Sequence, residues 1–403
     1  MRDIRNEFPV LQQTFDGKPL TYLDSTASTQ KPHCVIEAMD SFYKNNYSSV
    51  KRGVYQLSEK TTQSFERTRG LIKNLIGAAQ EEEIIFTKGT TESLNLVAST
   101  WARQNLKEGD ILLLSQLEHH ANIVPWQILQ KEKNFTIKVI PCNDKAELDL
   151  IAYENLLSDK VKCISITHIA NSVGTVNHIA SMIKLARAQT QATIIIDAAQ
   201  SIAHETINVQ ELDCDFLAFS GHKMYGPTGI GVLYGKYNLL MEMPPYHGGG
   251  EMIDQVSFTE TTYALPPAKF EAGTPAIAEV IGLGAAIDFI NKIGLEKIKK
   301  HEYELLYYGT KVLSQIPGLK WVGEAEHKAG ILGFTLDCAH AHDAAMILDE
   351  EAIAIRAGHH CAQPTMERFG VSATIRASIG VYNNKKDIDT LKTALLRVCK
   401  LFA

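Results

Sequence analysis

The run CDFLAFSGHKMYGPTGIGVLYG, residues 214–235, decides the architecture of this chain. Its apolar stretch Phe216–Phe219 continues to Ser220 as a buried strand, and Gly231–Tyr234 reads as a second one. Between them lie Ser-Gly-His-Lys and a glycine-rich turn. Working outward, further β-rich runs are Ile84–Thr87, Ile111–Ser115, Ile137–Pro141, Cys163–His168 and Thr193–Asp197. Amphipathic segments such as Ser93–Ala102 and Ile179–Gln189 separate most of them. Strands alternating with helices predict a mostly parallel sheet covered by helices on both faces, in an α/β fold. In that architecture a ligand lies beyond the carboxyl ends of the strands.

After Pro275 the texture changes. Residues 277–315 read as a long helical region, followed by Ile331–Leu336, His342–Glu350, Ile353–Arg356, Ile375–Ile379 and Lys386–Leu401 as alternating strand-like and helical pieces. The expectation is a large α/β domain over 20–280 and a smaller α+β domain over 281–403, with 1–19 packing against the latter. A chain of 403 residues exceeds what one compact core usually holds.

Composition narrows the function classes. Hydrophobic content of 45% and charged content of 21% are ordinary for a soluble enzyme. A net charge of −6 without a Lys/Arg-rich block argues against nucleic-acid binding. Neither a signal-peptide core nor a membrane-length apolar window is present, and the seven cysteines show no CxxC pair. That is the thiol pattern of a cytoplasmic protein.

Lys223 stands where the Phe216 strand gives way to the turn. Burial disfavours a charged amine, and a neutral buried amine attacks carbonyls; the chemistry that most needs one is a Schiff base with pyridoxal phosphate (PLP). A strand-end lysine snorkelling to solvent is the bland alternative. Asp197 ends TIIID, where a carboxylate can pair with the pyridinium nitrogen of PLP or simply cap the next segment. Gln200 is within reach of the ring hydroxyl, or is a surface amide. Gly89-Thr90-Thr91 joins a strand to a helix start, which suits a phosphate or plain N-capping. Ser220 and His222 are further phosphate donors. In EHHAN, 118–122, an imidazole can stack on the ring and assist proton movement, and His120 is favoured over His119. Zinc competes for these histidines, but neither they nor His359-His360-Cys361 have a zinc-ligand spacing.

Cys361 lies in RAGHHCAQP, 356–364, a loop bounded by glycine and proline beside Arg356 and two histidines. Such a setting favours thiolate, against the alternative of a buried structural cysteine. Arg376 is placed to grip an α-carboxylate with its planar fork, or to form a surface ion pair.

Taken together, YLDSTAS (22–28), GTTESLNLVA (89–98), EHHANIVPWQ (118–127), ITHIANSVGT (166–175), DAAQ (197–200), SGHKMYGPTGIG (220–231), FEAGTP (270–275), RAGHHCAQP (356–364) and RAS (376–378) run almost end to end. They resemble the class V aminotransferase-like PLP enzymes of fold type I, and specifically the cysteine desulfurases of the SufS/CsdA type. The resemblance implies a homodimer with Lys223 as the Schiff-base lysine and Cys361 as the persulfide-forming cysteine. It implies Asn171 and Arg376 as substrate-carboxylate contacts, with Arg356 as a third, and Thr274 reaching the phosphate of the partner subunit. The short, proline-bounded cysteine segment is similar to the type II enzymes and implies a recessed persulfide. L-cysteine would be the substrate, and an acceptor protein of the SufE or SufU kind would collect the sulfur for iron–sulfur cluster assembly. One departure is Lys51-Arg52-Gly53, where the family often shows His-Arg-Gly; Arg52 is carried over as a substrate contact. Selenocysteine lyase or another PLP activity, a Cys–His hydrolase built on Cys361 and His360, and a silent scaffold remain the competing readings.

Overall fold

The computed structural model describes residues 4–402. Its centre is a seven-stranded sheet built from β1 (Ile84–Thr87), β2 (Ile111–Ser115), β3 (Thr136–Ile140), β4 (Val161–Thr167), β5 (Thr193–Asp197), β6 (Phe216–Ser220) and β7 (Gly231–Gly235). The strand order is β1-β7-β6-β5-β4-β2-β3. The pairs among β2 to β6 are parallel, whereas β7 runs antiparallel to both β6 and β1. Because β7 is flanked by two antiparallel partners, β1 points the same way as β6. Six strands therefore present their carboxyl ends at one edge.

Alternate side chains of a strand face opposite sides of a sheet. Leu217 and Phe219 of β6 enter one core, together with Ile194 and Ile196. Phe216 and Ala218 enter another, with Leu112, Leu114 and Ile195. Both faces are thus covered, which is why these strands read as continuous apolar runs rather than alternating ones.

A second, four-stranded antiparallel sheet is formed by Leu319–Trp321, Ile331–Leu336, Thr374–Ser378 and Arg356–Gly358, in that order. Helices Leu295–Leu313, Ala341–Asp349 and Lys385–Leu401 share a core with it. The expected single strand Ile353–Arg356 is in fact two. Ile353–Ala354 pairs parallel with Thr21–Tyr22, and the chain then changes partner so that Arg356–Gly358 pairs with Thr374–Ser378. The exposed hairpin Ile253–Val256/Thr261–Tyr263 carried no buried alternation from which it could be read.

The N-terminal segment bridges both bodies. Phe8 packs against the rings of Tyr225, Phe289 and Tyr382 at 6.0, 5.7 and 4.8 Å. Arg5 pairs with Asp387 at 3.3 Å, and Lys18 with Glu351 at 2.9 Å.

Arg69 and Glu271 form a buried ion pair at 2.8 Å, only 2% and 3% exposed. Glu271 also accepts from Phe86 N, and Lys51 Nζ lies 3.3 Å away. Lys51, the departure from the family pattern, is thereby tied to the FEAGTP segment. Burial by itself would raise the Glu271 carboxyl, but the charge and hydrogen bonds of Arg69, with Lys51, hold it below the usual range. Arg69→Met leaves that carboxylate without its main partner and is expected to destabilise the fold by about 3 kcal/mol, measured by urea denaturation at neutral pH. Because Glu271 has a depressed folded value, the contribution is full above the ordinary carboxyl value. It is lost as pH falls through the folded value, so the gap between wild type and variant should narrow in acid.

Candidate active site

The common strand edge opens into a cavity of about 290 Å³. Into its wall come Asp197 from the end of β5, Ser220 from the end of β6, and His222 and Lys223 from the single turn that follows. Thr90 and Thr91 enter from the start of helix Thr90–Val97, and Asn171 and Gln200 from loops after β4 and β5. Arg356, Cys361 and Arg376 close the cavity from the second sheet and its loop. These eleven positions, scattered along the sequence, meet in one place.

The turn that carries Lys223 is held unusually firmly. The His222 carbonyl accepts from Thr29 N at 3.0 Å, Thr29 Oγ1 at 3.1 Å, Ser28 Oγ at 3.2 Å and Lys31 Nζ at 3.1 Å. Gly89, at φ +154°, turns β1 into the helix, and a Cβ on Gly231 would lie 2.3 Å from its Cα. The helix therefore starts at Thr90, earlier than the expected Ser93. Thr90 N and Oγ1 both lie 2.8 Å from Ser220 Oγ.

Burial pushes the Lys223 amine down to about 8, with Asp197 opposing and Arg376 assisting. The Asp197 carboxyl is raised by burial, against the Ala199 N–H and the Lys223 charge. Burial and Lys223 lower His119 and His222 to about 4, so both imidazoles are neutral near pH 7. Arg376 is drawn down to about 10 by burial, although Asp24 favours its charge. Its Nη1 donates to the Asn171 carbonyl at 3.0 Å and its Nη2 lies 3.4 Å from Asp24. Asp24 also holds Arg356 through Nη2 at 2.9 Å. Arg376 Nε and Asn171 Oδ1 are buried without a hydrogen-bond partner. Buried polar atoms left unpaired in this way are costly unless a ligand satisfies them.

Three placements differ from the sequence reading. His119, not His120, lines the cavity. His120 instead donates its backbone N–H to the Cys361 carbonyl at 2.8 Å, and its Nε2 accepts from Gln363 N at 3.1 Å. These contacts tie it to the cysteine loop. Arg52 pairs with Glu251 at 3.0 Å, is 64% exposed and stands outside the cavity. Thr274, expected to face the partner subunit rather than this cavity, is not one of the three; it is exposed on a separate cleft shared with Tyr246 and His247. Cys361 does line the cavity, yet the expected recess is not present in the single chain, where it is exposed. Both His360 and Cys361 have φ of 54°, a left-handed turn that presents the thiol at the cavity mouth.

Two further residues escaped the sequence reading. Glu118 is fully buried and receives Ser115 Oγ at 2.5 Å, Asn122 Nδ2 at 2.7 Å and Thr167 N at 2.9 Å, so it anchors the histidine loop. Asp24 aims both arginines. Each sits inside a quoted motif, but neither residue type at that spacing signals its partners. His360 bonds Thr374 Oγ1 at 2.8 Å, and no hydrogen bond joins its ring to the Cys361 thiol among the described residues. No three His, Cys, Asp or Glu side chains among the described residues cluster as a metal ion would require.

The donor set fits PLP: an anion cradle at a helix start with three hydroxyls, a buried carboxylate, an imidazole in the wall and an amine of depressed basicity. The family model for class-V aminotransferases matches residues 21–391. The chain is 46% identical over 399 residues to a cysteine desulfurase of Dickeya dadantii, covering 99% of this chain and 96% of that one. It is 45% identical over 398 residues to a cysteine desulfurase of Synechococcus elongatus, of which it spans 63%. Among solved structures, the cysteine desulfurase CsdA of Escherichia coli superposes with a TM-score of 0.92 at 36% identity, covering 99% of this chain and 98% of that one. The family match, the identities over nearly the whole chain and the superposition together show that the chain belongs to the class-V aminotransferase family, among its type II cysteine desulfurases.

Proposed function

We propose that this protein removes sulfur from L-cysteine to give L-alanine, holding the sulfur as a persulfide on Cys361. The observation that carries the reading is that Lys223 and Cys361 share one cavity, close enough for their charges to act on each other. In the proposed site Lys223 carries PLP, Asp197 holds the ring nitrogen protonated, and Gln200 meets the ring hydroxyl. Thr90, Thr91, Ser220 and His222 hold the phosphate. When bound, PLP supplies an electron sink for charge developing at the substrate's α-carbon.

The chain's own residues do the rest. Arg376, whose buried Nε–H has no protein partner, orients the substrate carboxylate together with Asn171, and Arg356 adds charge at the rim. Lys223 Nζ moves the α-proton in its neutral form. Cys361 thiolate bonds to the substrate sulfur. In the net change the substrate's Cβ–S bond and the Cys361 S–H bond break, and a Cβ–H bond on alanine and an S–S bond on the protein form, with no outside oxidant or reductant needed.

The finer reading is of a cytoplasmic homodimer in which Thr274 reaches the partner subunit's phosphate. An acceptor protein of the SufE or SufU kind takes the sulfur towards iron–sulfur cluster assembly, and selenocysteine is accepted as an isosteric substrate. An exposed Cys361 suits delivery to an acceptor cysteine. Incubating the PLP-loaded protein with L-cysteine or L-selenocysteine and a reductant tests this reading. Equimolar alanine and sulfide support desulfuration; no alanine from L-cysteine refutes it.

The placement of the histidines adds a second test. His119→Ala is expected to shift the visible absorbance of the holoprotein and lower turnover by about 10²-fold. His120→Ala should leave the absorbance unchanged, because its contacts are to the cysteine loop.

A further inference from the structure

Outside the active site, two thiols lie together in the second body. Cys338 Sγ and Cys399 Sγ are 3.5 Å apart and 61 residues apart in sequence. Cys338 follows strand Ile331–Leu336, and Cys399 sits in the last turn of helix Lys385–Leu401. Both are half-buried, so small reagents can reach them, and neither takes part in the chemistry above. A disulfide needs sulfurs at about 2 Å, a gap that modest side-chain rotation closes.

We propose that Cys338 and Cys399 are a modification site, forming an intrachain disulfide that staples the C-terminal helix to the second sheet. The oxidant is a low-molecular-mass disulfide. One thiolate attacks it, its S–S bond breaks and one small thiol leaves, giving a mixed disulfide. The second protein thiolate then displaces the other small thiol, so two protein S–H bonds and one small S–S bond become one protein S–S bond and two small thiols. Burial and the contact with Cys338 push the Cys399 thiol up to about 11. The closed ring contains Arg356, Cys361 and Arg376, so the bond restrains local opening of the segment that carries them.

The test uses PLP-loaded Cys361→Ser protein, which lacks the exposed thiol, treated with oxidised glutathione. Free thiols are then alkylated and the protein is digested without reduction for mass spectrometry. The expected result is a linked 338–399 peptide pair, two fewer alkylated thiols per chain, and a melting temperature raised by several degrees. Adding Cys399→Ser or, separately, Cys338→Ser should abolish all three effects and leave the remaining partner as a glutathione adduct. Full alkylation of both cysteines, or stable separate adducts on each in the parent protein, overturns the proposal.

Discussion

Replacing Lys223 by alanine is expected to lower alanine release from L-cysteine by about 10⁴-fold while leaving the fold intact. The side chain makes no hydrogen bond among the described residues, so its loss strands no partner. What disappears is the one lysine amine among the described residues that line the cavity with Asp197 and Ser220. The depressed basicity makes a second, independent readout. With the amine near 8, the neutral nucleophilic fraction is about one in ten at pH 7 and most of the population at pH 9. Capture of added PLP by the apo-protein should therefore accelerate as pH rises through about 8 and level off above it. An ordinary exposed lysine would keep accelerating towards 10.5. Lys223→Ala should show no such pH-dependent visible band at all. If the variant retains turnover, the amine is not the cofactor's anchor and the reading of the whole cavity fails.

The parts of this molecule that could be read from sequence are those governed by local periodicity. Strands such as Thr193–Asp197 and Phe216–Ser220 are buried on both faces, and their apolar runs end at the residue where the ladder ends. The residues that follow them must lie at the carboxyl edge, which is why Asp197, Ser220 and Lys223 are legible as neighbours from sequence. His119 and His120 could not be separated that way. Adjacent residues point apart, and which one faces the cavity is set by the Glu118 anchor and the tie from His120 to the Cys361 loop, both long-range. The same holds for Asp24. It comes from the N-terminal region, and it aims Arg356 and Arg376 because Thr21–Tyr22 pairs with Ile353–Ala354 and Asp24 itself bridges to Ser378. The change of partner at Ile355 has no local signature, so the expected strand ran through it.

Cys361→Ser separates the two halves of the chemistry. The substitution removes the thiol and preserves size, and serine suits the left-handed φ of 54° no worse than cysteine does, so the loop and its contact with His120 should persist. Lys223, Asp197, Asn171 and Arg376 are untouched, so the variant should still bind PLP and still change its visible absorbance when L-cysteine is added. A serine hydroxyl cannot supply an anion at neutral pH to attack the substrate sulfur. Release of alanine should therefore fall by at least about 10³-fold. The persulfide itself should be seen as a 32 Da gain, roughly one sulfur atom, on the Cys361 peptide of the wild type under limiting reductant and on no peptide of the variant. Retained alanine release in Cys361→Ser would mean that sulfur departs without the thiol. The site would then be that of a lyase releasing sulfide directly, with Cys361 at its mouth for another purpose. The combination of intact absorbance response and lost alanine is what a lysine that activates carbon and a cysteine that accepts sulfur must produce.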